Sequence, residues 1–227
     1  MGCKFRISSG LDWVFGTEER ALILEDDCIP DISFFKFCDE LLEKYKNHSE
    51  ISHIGGNNFL FDRLKIDDSY YFSRYTHVWG WATWKRAWQN YDVTLKKWPQ
   101  IKKDRTLEKI LGKQQAKFWG EKFDGVYSGQ DDTWDHQWTF SSMINQKLAI
   151  VPKVNLITNI GFGKNSTHTL FHSKFAKMKR ESLNFPLNHP TTIQRNVKAD
   201  TLVAKSNYNS FLLVKYAKKI LKSLKIL

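Results

Sequence analysis

No stretch of this 227-residue sequence approaches the roughly 20 consecutive apolar residues needed to cross a bilayer, so no membrane span is expected. The N-terminus lacks a basic segment followed by a hydrophobic stretch, and Arg6 stands where a myristoylation signal has Ser or Thr. Neither an export leader nor an N-terminal lipid is expected. Cysteine is scarce. Cys3, Cys28 and Cys38 are odd in number and lack metal-ligand spacing, which excludes a disulfide-stapled scaffold and fits free thiols in a reducing compartment. There is no His-rich metal cluster and no internal repeat. Aromatic residues, in contrast, are plentiful, with nine Trp and sixteen Phe. With 41% hydrophobic and 26% charged residues, this is the composition of a folded chain long enough to bury a core.

The net charge of +11 has the size of a nucleic-acid footprint but not its distribution. Residues 1–173 carry 23 Lys and Arg against 22 Asp and Glu, whereas residues 174–227 carry 12 against 2. The excess belongs to the tail, and no nucleic-acid partner is expected.

Periodicity outlines an α/β chain. Ser8 to Glu19 forms a short helix, and the apolar run Ala21-Leu22-Ile23-Leu24, cut off by Glu25-Asp26-Asp27, has the form of a buried parallel strand. Pro30 and Asp31 open a helix whose Phe34, Phe37, Cys38, Leu41, Leu42 and Tyr45 share one face. Strands are expected at Ile51–Ile54, ahead of the turn-forming Gly55-Gly56-Asn57-Asn58, and at Tyr70–Phe72 and Ala149–Pro152. Helical patterns occupy the region from Thr106 to Phe118 and the segment running from Asp135 to Asn145. Residues 155–170 are expected to be loop. Residues 174–210 have linker composition, rich in Asn, Thr, Ser and Pro towards their end. From 211 to 227 a basic amphipathic helix is expected, with Leu213, Tyr216, Ala217, Ile220, Leu221, Leu224 and Leu227 on one side and five Lys on the other. Such a helix either packs on the domain or lies on an anionic membrane surface.

Three adjacent carboxylates at the end of a strand repel one another unless a cation relieves them. Hard ions such as Mg²⁺ or Mn²⁺ take carboxylate oxygens and keep positions open for phosphate oxygens, which suits a substrate carrying a diphosphate. In open α/β sheets ligands bind beyond the carboxyl ends of strands, where this cluster falls. The plainer alternative is that Asp26 and Asp27 cap the following helix. A second cluster, Asp131, Asp132 and Asp135, precedes or begins a helix, and one of its members can serve as a general base. Trp79, Trp81, Trp84 and Trp88 offer flat faces for stacking on a sugar or base, or for packing in the core. His168, in a polar loop, is a candidate ligand for a metal or phosphate.

Taken in order, Leu22-Ile23-Leu24-Glu25-Asp26-Asp27-Cys28-Ile29-Pro30, His77-Val78-Trp79-Gly80-Trp81-Ala82-Thr83-Trp84, Trp134-Asp135-His136-Gln137-Trp138 and Asn155-Leu156-Ile157 with Asn159-Ile160-Gly161-Phe162 resemble bacterial nucleotide-diphospho-sugar transferases of GT-A fold, related to glycosyltransferase family 2 and to the N-acetylglucosaminyltransferase I type. The resemblance spans about residues 5 to 172. It implies a Rossmann-like mixed sheet flanked by helices over residues 1–173 and a metal-dependent, inverting transfer of a sugar from a nucleotide-diphosphate donor to an acceptor hydroxyl. Asp27 would ligate a divalent cation, Mn²⁺ or Mg²⁺, with His168 as a further contact. Glu25, Asp26, Trp79, Gly80, Trp81 and Trp134 would bind substrate, Asp26 facing the ribose or the metal's waters. Asp135, or failing it Asp132, would activate the acceptor. A glycan or lipid-linked acceptor and work on bacterial surface polysaccharide at the inner face of the cell membrane are further expectations of the resemblance and the basic tail.

Only 24 residues precede Glu25, fewer than the nucleotide-binding half of that fold requires, so the resemblance also leads one to expect a chain starting inside the fold, lacking most of its nucleoside pocket and doubtful in activity by itself. Two other classes use the same features. A metal-dependent phosphodiesterase would use the carboxylates to activate water, and a non-enzymatic membrane- or nucleic-acid-binding protein would rest on residues 174–227.

Overall fold

The computed structural model describes residues 2–60, 63–162, 175 and 178–209. Five strands, β1 (Arg20–Ile23), β3 (Ile51–Gly55), β4 (Tyr70–Ser73), β5 (Trp81–Trp84) and β6 (Leu148–Pro152), form a mixed sheet in the order β1-β5-β3-β6-β4. β1, β3 and β6 run in one direction, and β5 and β4 run against them. A separate two-stranded ribbon pairs β2 (Cys28–Pro30) with β7 (Ile157–Asn159), with Cys28 opposite Asn159. The sheet is therefore mixed α/β, as the alternation of elements in the sequence implies.

Helix α2 (Ile32–Lys44) covers one face of the sheet. Asp31 caps it, its Oδ1 accepting from the Ser33 amide at 2.9 Å and the Ser33 hydroxyl at 2.6 Å, an arrangement worth about 1 kcal/mol. Phe34, Phe37, Cys38 and Leu41 are fully buried against Ile51, Ile54, Phe72 and Ile150. The apolar period of the sequence thus gives the face correctly. The cap is Asp31, so Asp26 and Asp27 are left for another role.

Helices α4 (Trp98–Lys103), α5 (Thr106–Leu111), α6 (Lys113–Tyr127) and α7 (Asp135–Ile144) build the opposite layer, where Trp98, Trp119, Phe123 and Phe140 pack under Tyr71 and Val151. Tyr70 and Phe72 face α2 while Tyr71 faces these helices, as strand alternation requires. A third cluster joins α1 (Cys3–Thr17) to the sheet. Leu11 and Phe15 meet Trp81, Trp88, Trp134 and Trp138 there. His53 lies fully buried among them, accepting from Trp138 Nε1 at 3.1 Å through Nδ1 and facing the His77 carbonyl at 3.0 Å through Nε2. That pairing needs a neutral ring protonated on Nε2, and burial pushes its pKa down to about 3.

Three expectations differ from the structure. β1 is an edge strand, antiparallel to β5 and only partly buried, because its apolar residues meet α1 and the tryptophan cluster on one side while no described strand pairs with its outer edge. Residues 155–170 include β7, since the Cys28–Pro30 segment supplies a partner that the local sequence does not reveal. The part of 174–210 that is described is packed rather than linker-like. Leu183 and Leu187 enter the α2 core, the Ser69 and Asn196 amides exchange hydrogen bonds with the Asn188 and Phe72 carbonyls along β4, and α8 (Val197–Val203) buries Ala199 and Val203 against the opposite layer. This passage covers the edge of β4 that would otherwise be open. A few large side chains in a polar stretch were enough to anchor it. The helix expected over 211–227 lies outside the described residues.

Candidate functional site

The chain leaves β1 at Ile23 and turns tightly, the Cys28 amide donating to the Glu25 carbonyl at 3.1 Å. This turn sends Glu25 and Asp27 into a cavity of about 260 Å³ and leaves Asp26 exposed, outside the lining. Across the cavity stands the start of α7, with Asp135 in its first turn and Thr133 donating to the Asp135 carboxylate. Trp79 and Phe162, packed edge to face at 5.4 Å, supply an aromatic wall. Cys3 of α1, Val78, Trp134, and Asn159 and Gly161 at the end of β7 complete the lining.

Each acid is held by a different device. Trp134 Nε1 donates to Glu25 Oε1 at 3.2 Å, and the indole is fixed by stacking on Trp81 at 5.5 Å and 20°. Burial raises the Glu25 carboxyl to about 7 against the pull of that hydrogen bond, and the neighbouring Asp27, Asp135 and Asp26 add to the rise. Asp27 accepts from the buried Cys28 thiol at 3.3 Å. On its other oxygen the ribbon closes tightly, since a Cβ at Gly161 would lie 2.1 Å from Asp27 Oδ2. Only glycine leaves the carboxylate where it is. Asn159 Oδ1 accepts from the Gly161 amide at 2.8 Å and holds this approach in place.

Ligand atoms of Glu25, Asp27 and Cys28 lie within 4.8 Å of one another. Burial pushes the Cys28 thiol up to about 12, so it is a protonated donor to Asp27 rather than a thiolate. The oxygens of Glu25 and Asp27 therefore set the character of the group, and two crowded, partly desolvated carboxylates fit a hard divalent cation.

Of the residues expected from sequence, Glu25, Asp27, Trp79, Trp134 and Asp135 line this one cavity. Asp132 does not. Its two carboxylate oxygens accept from the Cys3 and Lys4 amides at 2.9 and 3.1 Å and cap α1, whose own N-cap residue is Gly2. Trp81 is fully buried beneath Trp134. Gly80, at φ +69°, is pressed between Ile157 and Leu24, so its role is to let β5 and the ribbon approach. His168 lies outside the described residues. Cys3, Thr133 and the roles of Asn159, Gly161 and Phe162 were not singled out from sequence. The Asn159–Phe162 run carried the only signal for three of them.

Neither family models nor curated proteins give a match to this sequence. Among the described residues no helix is long and apolar enough to cross a membrane.

Proposed function

We propose that this chain is the catalytic region of a nucleotide-diphospho-sugar transferase of GT-A fold, moving a sugar to an acceptor hydroxyl with inversion. The observation that carries the reading is the meeting, in one cavity, of the Glu25 and Asp27 turn beyond the carboxyl end of β1 with Asp135 at the start of α7. The ordered motifs of the sequence add weight to it.

Asp27, with Glu25 beside it, would hold a divalent cation, which when bound supplies positive charge for a diphosphate leaving group. Asp135 takes the proton of the acceptor hydroxyl as that oxygen attacks the anomeric carbon and the bond to the diphosphate oxygen breaks. Thr133 orients the Asp135 carboxylate through its hydroxyl. The Trp79 and Phe162 wall offers apolar faces to a sugar ring and shields it from water. A glycan or lipid-linked acceptor at the inner face of a bacterial membrane is part of the same proposal and rests on the motif resemblance and the basic C-terminal segment.

Calorimetric titration of the full chain with UDP, GDP, dTDP and CDP, each with Mn²⁺ or with EDTA, tests the reading. At least one nucleotide should bind only with the cation and lose binding in Asp27→Asn. Donor-sugar turnover should then fall at least a hundredfold in Asp135→Asn with nucleotide binding retained. Cation-independent binding, or full turnover in Asp135→Asn, would overturn it. Cleavage of bis(p-nitrophenyl) phosphate by the wild type and not by Asp27→Asn would favour a phosphodiesterase instead.

A further inference from the structure

A second cavity, of about 550 Å³, opens at the other end of the sheet, where β4 ends and β6 begins. Four cationic side chains from four separate segments line it: Arg74 after β4, Lys109 of α5, Lys147 before β6 and Arg195 before α8. Among the described residues no carboxylate lines it. Its floor is apolar, formed by Leu111 and Met143 among others. From these features we propose that this cavity binds a phosphate group carried on an apolar stem.

The two arginines are prepositioned. Asp200, buried behind the cavity, accepts from the Ser73 hydroxyl at 2.6 Å and faces the Nε atoms of Arg74 and Arg195 at 3.5 and 3.4 Å. Arg74 Nη1 also donates to the Ile110 carbonyl at 2.7 Å. Held in this way, Arg74 keeps Nη2 and Arg195 keeps its outer edge for a ligand, and two held arginines lose little freedom when an anion arrives. The ammonium groups of Lys109 and Lys147, unlike their backbone amides, have no hydrogen-bond or ion-pair partner among the described residues. One carboxylate therefore stands against four cations, and the unbalanced positive charge faces a half-open cavity. Phosphate oxygens match the arginine fork as well as the lysine ammonium groups. The floor distinguishes this cavity from a patch of surface lysines, because it rewards a ligand with an apolar body next to its anionic group.

The competing explanation is that these cations only offset the C-terminal carbonyl ends of α5 and α7. Titration of the full chain with inorganic phosphate and with phenyl phosphate in 0.15 M NaCl separates the two, alongside sedimentation with phosphatidylcholine vesicles with or without phosphatidic acid. The variants are Lys109→Gln/Lys147→Gln and, as a control for diffuse attraction, Lys96→Gln/Lys97→Gln. Phenyl phosphate should bind saturably, at least threefold tighter than inorganic phosphate, and the Lys109/Lys147 pair should weaken it tenfold or more while the control pair changes it less than twofold. Sensitivity to the Lys109/Lys147 pair with phenyl phosphate identifies a soluble phosphorylated ligand. The same sensitivity seen only with phosphatidic acid identifies a lipid headgroup. Either supports the site. Binding unaffected by the Lys109/Lys147 pair in both assays, or lost equally in both variants, overturns it. The melting temperatures of the variants serve as the check that neither has unfolded. Neither pair touches the Glu25, Asp27 and Asp135 cavity, so this test stands or falls independently of the proposed transferase activity.

Discussion

Glu25→Gln should stabilise the cation-free protein at pH 8 and leave it unchanged at pH 4. In the folded chain the Glu25 carboxyl is raised to about 7, whereas in the unfolded chain it ionises near 4.5. The unfolded state therefore releases its proton first as pH rises, and stability falls between about 4.5 and 7. A rise of this size corresponds to a ceiling of about 3 kcal/mol, since each unit is worth about 1.36 kcal/mol. Because Glu25 is only part-buried, solvent reduces that ceiling, and a gain of about 1 to 2 kcal/mol is the expected value. Glutamine keeps the shape and a carbonyl to accept from Trp134 Nε1, so the change removes charge and little else. Urea denaturation followed by tryptophan fluorescence, in EDTA at pH 4 and pH 8, measures the difference. Mn²⁺ at a hundredfold excess over its wild-type Kd should then stabilise the wild type by about 2.7 kcal/mol at pH 8, and Glu25→Gln by less. An equal effect of the substitution at both pH values, or a loss of stability at pH 8, would refute the argument that crowded burial of this carboxylate is the cause.

Other outcomes follow from the same geometry. Gly161→Ala should push Asp27 aside, cost about 1 to 3 kcal/mol and weaken Mn²⁺ binding as read by calorimetry, whereas an unaltered cation affinity would show that Asp27 is not a ligand. Asp132→Ala should remove the cap of α1 and lower stability by about 1 kcal/mol in urea melts while nucleotide binding persists, so a loss of binding without a loss of stability would return Asp132 to the site. Buried His53 should not titrate between pH 5 and 8 in NMR spectra. Its lowered pKa makes it a source of stability present above pH 6.5 and lost, at about 1.4 kcal/mol per unit, as pH falls towards 3, and a titration midpoint near 6.5 would contradict its burial as neutral imidazole. Phe34→Ala should cost about 3 to 5 kcal/mol in the same denaturation assay, because the side chain is fully enclosed between α2 and the sheet.

Where a residue's partners lie near it in the chain, the sequence was enough. The spacing of Phe34, Phe37, Cys38, Leu41, Leu42 and Tyr45 determines both the existence of α2 and the face it buries, because helical period is a local property. The strands at Ile51, Tyr70 and Leu148, the start of α7 at Asp135 and the acidic end of β1 were legible for the same reason. The separate duties of Asp132 and Asp135 were not. They stand three residues apart, yet one caps a helix about 130 residues away in sequence and the other faces Glu25 across a cavity, a distinction made only when α1 and α7 pack together. Likewise β1 reads as a buried parallel strand because an apolar run records burial but not the direction of the partner, and β7 exists only because Cys28–Pro30 lies beside it. The polar stretch after residue 177 reads as linker because its hydrogen bonds to Ser33 of α2, to Ser69 and to Phe72 of β4 leave no trace in its own composition. Composition and period thus determined the segments with a strong local pattern, such as α2, β3 and β4, and which acids are available. The tertiary structure alone decided which of those acids share a cavity, since carboxylates interact through distances of a few ångströms that only long-range packing sets.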